Sequence, residues 1–309
     1  MNNLNLSYCG IDVSKDHLDT KCRNNVNRYD NTIKGIKKLA KENPNAHYVL
    51  ESTGGYERLA AWTLMNDGYK ASIINPRRIR DYARAMSILA KTDKLDADVI
   101  VKYAEAVHPR ESQLPSEKYR HFVAVMDRRC QLIKMKGAEE NRLGSCADTD
   151  TKKCVNEVIQ YFNQKINLLE KEILSLIKND EKMKERSEIM QHVTGIGIIS
   201  AAYILAYLPE IGTLNKKEVA ALLGVAPFNR DSGSLSKKRC TYGGRKKLRS
   251  GLYMATVSAT THNKHLRDFY CHLINDNHCK EKVARIAVMR KMIIAINSLM
   301  KNSDFELDS

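Results

Sequence analysis

The chain reads as an α/β first third followed by an all-helical remainder. Three observations carry this. Short β-branched and apolar runs alternate with segments of helical periodicity as far as about residue 107. No strand pattern occurs between Pro115 and Met190, where long helical spacing takes over. The last third is rich in helical patterns broken by glycine turns and one strongly basic run.

The first third can be taken element by element. Residues 8–13, Tyr-Cys-Gly-Ile-Asp-Val, form a short strand, and 18–22 and 26–29 continue it as a meander with Asn24-Asn25 at a turn. Ile33, Ile36, Leu39 and Ala40 have helical spacing over 32–41, behind a capping Thr or Asn, and Pro44-Asn45 ends that helix. A buried strand follows at 47–51, ending in Glu51-Ser-Thr-Gly-Gly55. Then come a helix at 56–67 closed by Gly68, a strand at 69–74 closed by Asn75-Pro76, and a basic helix at 77–90.

Lys91-Thr-Asp-Lys-Leu-Asp-Ala-Asp98 opens the next helix, which runs to about 107. At about 100° per residue, Asp93 and Asp96 share a face with Ile100, Tyr103 and Val107, flanked by Ala97, Val99 and Ala104. Asp98 falls opposite, towards solvent, with Lys94, Lys102 and Glu105. The plainer account is that Asp is favoured in the first turn of any helix. That explains one Asp well and two only adequately. Carboxylates on a buried face are costly unless paired or bound to a cation. If the first and fourth strands are neighbours, Asp12 within the first and Glu51 at the end of the fourth converge at one edge of the sheet. A helix packed there brings Asp93 and Asp96 to the same point. Four carboxylates so gathered call for hard divalent cations, Mg²⁺ or Mn²⁺, and such metals clamp a phosphodiester for in-line displacement.

Composition narrows the partner. The 309 residues carry a formal net charge of +15, with 43% hydrophobic and 28% charged residues. That balance points to a polyanion, nucleic acid above all. No apolar run is long enough to cross a bilayer, and the first residues lack the pattern of a signal peptide, so a cytoplasmic protein with no membrane partner is expected. The cysteines at 9, 22, 130, 146, 154, 240, 271 and 279 include no CxxC pair, so neither a disulfide framework nor a zinc site is expected.

In the middle third one long helix covers about 119–143 and a turn covers 144–151. A second helix from 152 carries Phe162, Ile166, Leu169, Ile173 and Leu176 as a short heptad seam. That seam serves a hairpin, a coiled-coil contact between chains, or both; a hairpin that also helps the chain to oligomerise is the reading preferred here.

In the last third, Gly195-Ile-Gly197 before an apolar helix is similar to a helix-hairpin-helix element, whose backbone N–H groups meet a phosphate. Close packing of the turn accounts for it equally well. Further on, Lys237, Lys238, Arg239, Arg245, Lys246, Lys247 and Arg249, with Tyr242 among them, suit a segment laid along phosphates, so binding should be salt-sensitive.

Gly10-Ile-Asp-Val-Ser-Lys15, Glu51-Ser-Thr-Gly-Gly-Tyr56, Asn75-Pro76 and Lys91-Thr-Asp-Lys-Leu-Asp-Ala97 together resemble the DEDD transposases of insertion-sequence family 110, relatives of the Piv-type DNA invertases. Gly224-Val-Ala-Pro227, Ser232-Gly233, Gly244, Leu248-Arg249 and Leu252 resemble the C-terminal transposase domain of that family, with Leu235-Ser236 where a glycine is often found. The resemblance implies an RNase H-like catalytic domain over 1–110, closest to Holliday-junction resolvases. It also implies a helical, coiled-coil linker over 111–189 and a helical transposase domain over 190–309. By the resemblance Asp12, Glu51, Asp93 and Asp96 are the metal ligands, and a serine joins DNA through a phosphoserine linkage. Position by position that serine is Ser232; the residues themselves leave Ser232, Ser234 and Ser236 equal. A noncoding guide RNA and a dimer or tetramer holding DNA ends belong to the same implication. The alternatives are a junction-resolving endonuclease using the same acids with water, and a non-catalytic nucleic-acid-binding protein.

Overall fold

The computed structural model describes residues 7–88, 93–228 and 240–301, the side chains of 93–95 excepted. The chain divides into two compact units, Met1–Pro115 and Ser116–Ser309. No helix among the described residues is long and apolar enough to cross a membrane.

The first unit is built on a five-stranded sheet. Strands β1 (Ser7–Val13), β2 (His17–Cys22) and β3 (Asn25–Asp30) form an antiparallel meander. Helix α1 (Ile33–Glu42) leads to β4 (Ala46–Glu51), which lies parallel to β1. Helix α2 (Glu57–Asn66) leads to β5 (Ala71–Ile74), parallel to β4. Helices α3 (Pro76–Ala85) and α4 (Asp93–Val107) complete the unit. The sheet order is β3-β2-β1-β4-β5. The first and fourth strands are thus neighbours.

Strand alternation sorts side chains between two layers. Cys9, Ile11, Tyr48 and Leu50 point towards α1 and α2, packing with Ile36, Leu39, Ala60 and Leu64. Tyr8, Val49 and Ile74 point the other way and pack with Ile79 of α3 and Val99, Ile100, Tyr103 and Ala104 of α4. Helix α1 starts where the sequence places it, with the Thr32 side chain accepting from the Gly35 N–H.

Several expectations are corrected. The β2–β3 turn is Arg23-Asn24, one residue earlier than read, because Cys22 and Asn25 already pair. Helix α3 ends at Ala85, with Ser87 in the left-handed region at φ 57°. Val107 is exposed. Cys9 and Cys22 are register partners on β1 and β2 and are joined by a disulfide beneath the sheet. Their separation in sequence hid a pairing that only strand register creates.

The second unit begins with α5 (Glu117–Ser145) and α6 (Thr149–Lys178). They run antiparallel, since Arg129 meets Glu170 while Leu132, further along α5, meets Phe162 and Ile166 earlier on α6. Of the heptad seam, Phe162, Ile166 and Ile173 are buried and Leu169 and Leu176 partly so. The seam therefore closes a hairpin within the chain. Next come α7 (Glu181–Gln191), α8 (Ile198–Tyr207), α9 (Lys216–Leu223), and the two-residue strands β6 (Pro227–Phe228) and β7 (Cys240–Thr241). Helices α10 (Lys246–Gly251), α11 (Tyr253–His262), α12 (Lys264–Asn275) and α13 (Glu281–Leu299) follow. Helix α8, apolar nearly all round, is the centre of this core and shares it with Met126, Ile173, Leu223, Ala259 and Ile293.

Packing of this kind predicts a contrast within α6. Ile173, fully buried, should cost about 2–5 kcal/mol when cut to Ala. Leu168, 56% exposed, should cost within about 0.5 kcal/mol. Urea unfolding of the two variants checks this; equal losses would place the seam elsewhere.

Candidate active site

Gly10 fixes where the acids lie. A Cβ at this position would sit 2.5 Å from the Ala97 carbonyl oxygen and 3.0 Å from the Val101 nitrogen, so β1 and α4 approach backbone to backbone. This face of β1 also carries Tyr8 and Asp12, two residues either way. On β4 the same face carries His47, whose ring lies 5.3 Å from that of Tyr8, then Val49 and Glu51. Ile11 pairs with Leu50 in the parallel ladder, so Asp12 and Glu51 come next at one level, on strands about 4.8 Å apart. Both side chains are partly exposed.

The direction of α4 follows from two contacts. Tyr8 Oη is 3.1 Å from Nδ1 of His108, just past the end of α4, while Gly10 lies under Ala97 and Val101. Hence α4 runs antiparallel to β1, with its N-terminus over the Asp12 end. From Gly10 to Asp12 the strand rises about 6.6 Å, and from Ala97 back to Asp93 the helix covers about 6 Å. The helix therefore begins, at Asp93, near the level of Asp12 and Glu51, with Asp96 about 4.5 Å nearer Gly10. Among the described residues, no three His, Cys, Asp or Glu side chains are gathered closely enough to hold a metal ion; the Asp93 side chain lies outside them.

Three groups here escaped the sequence reading. Asp19, 8% exposed, is the register partner of Asp12 across β1 and β2 and so extends the acidic row. Arg28 on β3 clamps it with two bonds of 2.8 and 2.9 Å, and His17 Nε2 is 3.5 Å away. The buried Glu57 carboxylate accepts from the backbone N–H groups of Thr53, at 3.1 Å, and Gly55, at 2.8 Å, and so shapes the turn that follows Glu51. Asp98 is not turned to solvent as the helical wheel has it. It is half-buried, with Lys21 of β2 at 3.9 Å and Lys102 at 2.8 Å. Spacing does not announce the Arg28 and Lys21 partners, because each stands on another strand.

In the second unit, Ser232, Lys237, Lys238 and Arg239 lie outside the described residues. The other cations of the basic run mostly have protein partners. The Arg245 guanidinium donates to both oxygens of Glu210, at 2.7 and 2.6 Å, and to the Tyr207 carbonyl at 2.8 Å. Burial alone would raise the Glu210 carboxyl, but Arg245 holds it below its ordinary value of 4.5. Lys247 meets Asp127 at 2.5 Å, and Arg249 donates to the carbonyls of Leu223 and Gly243. Lys246 is exposed. Of the two glycines, Gly195 sits at φ 91°, and a Cβ there would lie 2.6 Å from the Ala255 carbonyl oxygen of α11. Close packing accounts for it. Gly197 is the N-cap of α8, with open space around its Cα.

Comparison with known proteins bears on both units. A family model described as a transposase matches residues 9–149, and a model described as the transposase IS116/IS110/IS902 family matches 187–271. The pilin gene-inverting proteins of Moraxella lacunata and Moraxella bovis are each 26% identical to the chain over 320 residues, covering 97% of it and 98% of the relative.

The internal role of Arg245 separates it from Lys246. Arg245→Ala should cost about 1–2 kcal/mol at pH 7, read as a lower thermal midpoint. Lys246→Ala should leave the midpoint alone and, if it meets a phosphate, lower the salt slope of DNA binding by about 1.

Acid should erase the Glu210 contribution in a definite window. The carboxyl is depressed in the folded chain, so its stabilisation is full above 4.5 and is lost as pH falls through the lower folded value. The midpoint gap between the native chain and Glu210→Gln should therefore close on acidification below that point. A gap that stays constant to pH 3 would contradict the pair.

Proposed function

We propose, from the premise that this chain belongs to the IS110 family of transposases and is a DNA transposase or recombinase, that it cuts and rejoins DNA through a metal-dependent acidic site and a serine nucleophile. The observation that carries this is the side-by-side placement of Asp12 and Glu51 on parallel strands, with the first turn of α4 over the same sheet end. The strand order β3-β2-β1-β4-β5, with two parallel strands following an antiparallel meander, supports an RNase H-like reading of the catalytic stretch 1–110. In that reading 111–189 is the hairpin linker and 190–309 the transposase domain.

The donor set fits a hard divalent cation. Asp12, Glu51 and Asp96 offer carboxylate oxygens only, joined on this reading by Asp93. The imidazoles on the same face are engaged elsewhere, His47 with Ser72 Oγ at 2.8 Å and His17 beside Asp19. These four residues would hold Mg²⁺ or Mn²⁺, and the ion would supply polarisation of the phosphodiester and offset the charge that builds on it. Without that cation, the carboxylates would repel one another and the phosphate alike. Arg28 neutralises Asp19 in the adjoining position and so limits the negative charge of the row. The Glu57 bonds to the turn fix the chain just beyond Glu51, holding its backbone as DNA binds. On this reading the Ser232 hydroxyl attacks phosphorus and one P–O bond to a neighbouring sugar breaks. That sugar oxygen leaves as a hydroxyl with the proton the serine gives up, and the strand is held as a phosphoserine ester. The net charge of +15 supports a polyanionic partner, taken here as DNA ends together with a noncoding guide RNA, gripped by two or four copies of the chain.

Purified protein, DNA ends and the RNA flanking the gene supply the test. Asp12→Asn and Glu51→Gln should each slow cleavage at least about a hundredfold, and Ser232→Ala should remove the covalent protein–DNA adduct. Adduct that persists in Ser232→Ala sinks the serine. Cleavage without adduct in the native chain would mean that water attacks, as in a junction-resolving nuclease.

A further inference from the structure

Besides its apolar packing, helix α4 meets the sheet at two adjoining points near its N-terminal half. Gly10 and Lys21 are register partners on β1 and β2. Over Gly10 lies the backbone of Ala97 and Val101. Beside it, Lys21 Nζ is 3.9 Å from Asp98 Oδ1, with side chains only 22% and 26% exposed. The other Asp98 oxygen takes Lys102, one turn along the same helix, at 2.8 Å. The Lys102 contact lies within α4 and cannot locate it on the sheet; the Lys21 contact can.

Location matters because Gly10 has no side chain to fix the register of the helix above it, so that the packing of Ile100 and Tyr103 shares this with the ion pair. A slip of one residue moves it about 1.5 Å along its axis and turns it about 100°. Either change would carry Asp93 and Asp96 away from the end of β1 where Asp12 and Glu51 lie. The ion pair, set to one side of the Gly10 contact, resists both. An ion pair of this length and partial exposure adds little to stability, so its consequence lies in geometry.

We propose that Lys21 and Asp98 are positioning residues of the acidic site, fixing the axial and rotational setting of α4 so that its first turn, with Asp96, stays over the sheet end that carries Asp12 and Glu51. This rests on the metal-site reading above. Asp98, the acid of the motif that helical spacing assigns to solvent, is on this account the one that aims the other two.

Mn²⁺ binding to the full chain, followed by electron paramagnetic resonance beside the thermal midpoint, tests this without relying on activity. Lys21→Ala and Asp98→Ala should each raise the half-saturating Mn²⁺ concentration about tenfold, the range seen when groups behind metal ligands are removed, with the midpoint nearly unmoved. The exchanged pair, Lys21→Asp with Asp98→Lys, should recover most of that affinity. Lys102→Ala should bind as the native chain does. Native affinity in Lys21→Ala and Asp98→Ala, while Asp12→Asn has lost Mn²⁺, overturns the positioning role and leaves the site standing. Weakened binding that follows a lowered midpoint and is not restored by the exchange reduces the pair to a structural one and also overturns it. If Asp12→Asn binds Mn²⁺ as tightly as the native chain, the metal site itself is wrong, and this role falls with it.

Discussion

The first unit depends on the missing side chain at Gly10. With no Cβ, the α4 backbone comes within contact of β1 at Ala97 and Val101, closer than any layer of interposed side chains allows. Glycine in a strand is ordinarily a cost, through lost entropy and lost packing. Here the cost is offset by the burial that the approach permits: Val99, Ile100, Val101, Tyr103 and Ala104 are all buried against the sheet and α3. The same contact decides the site. Strand alternation gives Asp12 the α4 side because Gly10 has it, and the antiparallel run of α4 brings its acidic first turn to that end. A larger residue at Gly10 would lift the helix and the acids with it, so packing and chemistry share one constraint.

Charge is the second theme, and the two units use it differently. In the first, carboxylates are lined up at one level across β4, β1 and β2, and Arg28 on β3 supplies a countercharge to Asp19. In the second, cations that look available are tied inward. Arg245 locks α10 to Glu210 and to the end of α8, and Lys247 lies both against Asp127 and over the Tyr207 ring. Burial and the Asp127 carboxylate push the Tyr207 hydroxyl up, keeping it protonated as a donor. The net charge of +15 is therefore not a count of phosphate contacts; part of it is structural.

What was legible in the sequence followed from periodicity. Asp12 breaks an apolar strand and Glu51 ends one, and both signals are local, as are the Thr32 cap and the end of the strand at Asn75-Pro76, where α3 begins one residue earlier than read. What was illegible depended on register or on backbone acceptors. The Cys9–Cys22 disulfide needs the β1–β2 pairing to be known first. Asp98 was assigned to solvent because a helical wheel shows a face, not the lysine standing on the next strand. The bonds from Arg249 to the Leu223 and Gly243 carbonyls could not be foreseen, because backbone acceptors carry no sequence signature. Gly195 was equally ambiguous until α11 supplied the neighbour that leaves no room for a Cβ.

These misreadings share a cause that bears on the reaction. A charged residue in a nucleic-acid enzyme has two competing uses, to hold the fold and to hold the substrate, and composition cannot separate them. Desolvation separates them in the structure. Arg245 and Asp98 sit half-buried against partners from distant segments, where exchange for a phosphate or a metal would strand the group left behind. Residues free to serve substrate must lack such partners or face a ligand that repays their loss. On the proposed reading the acids of β1, β4 and α4 meet the second condition, because carboxylates at one level on adjacent strands repel until a cation joins them. An acidic site in a basic protein is then no contradiction: the basic surface draws the polyanion in, and the cation lets the acids touch it.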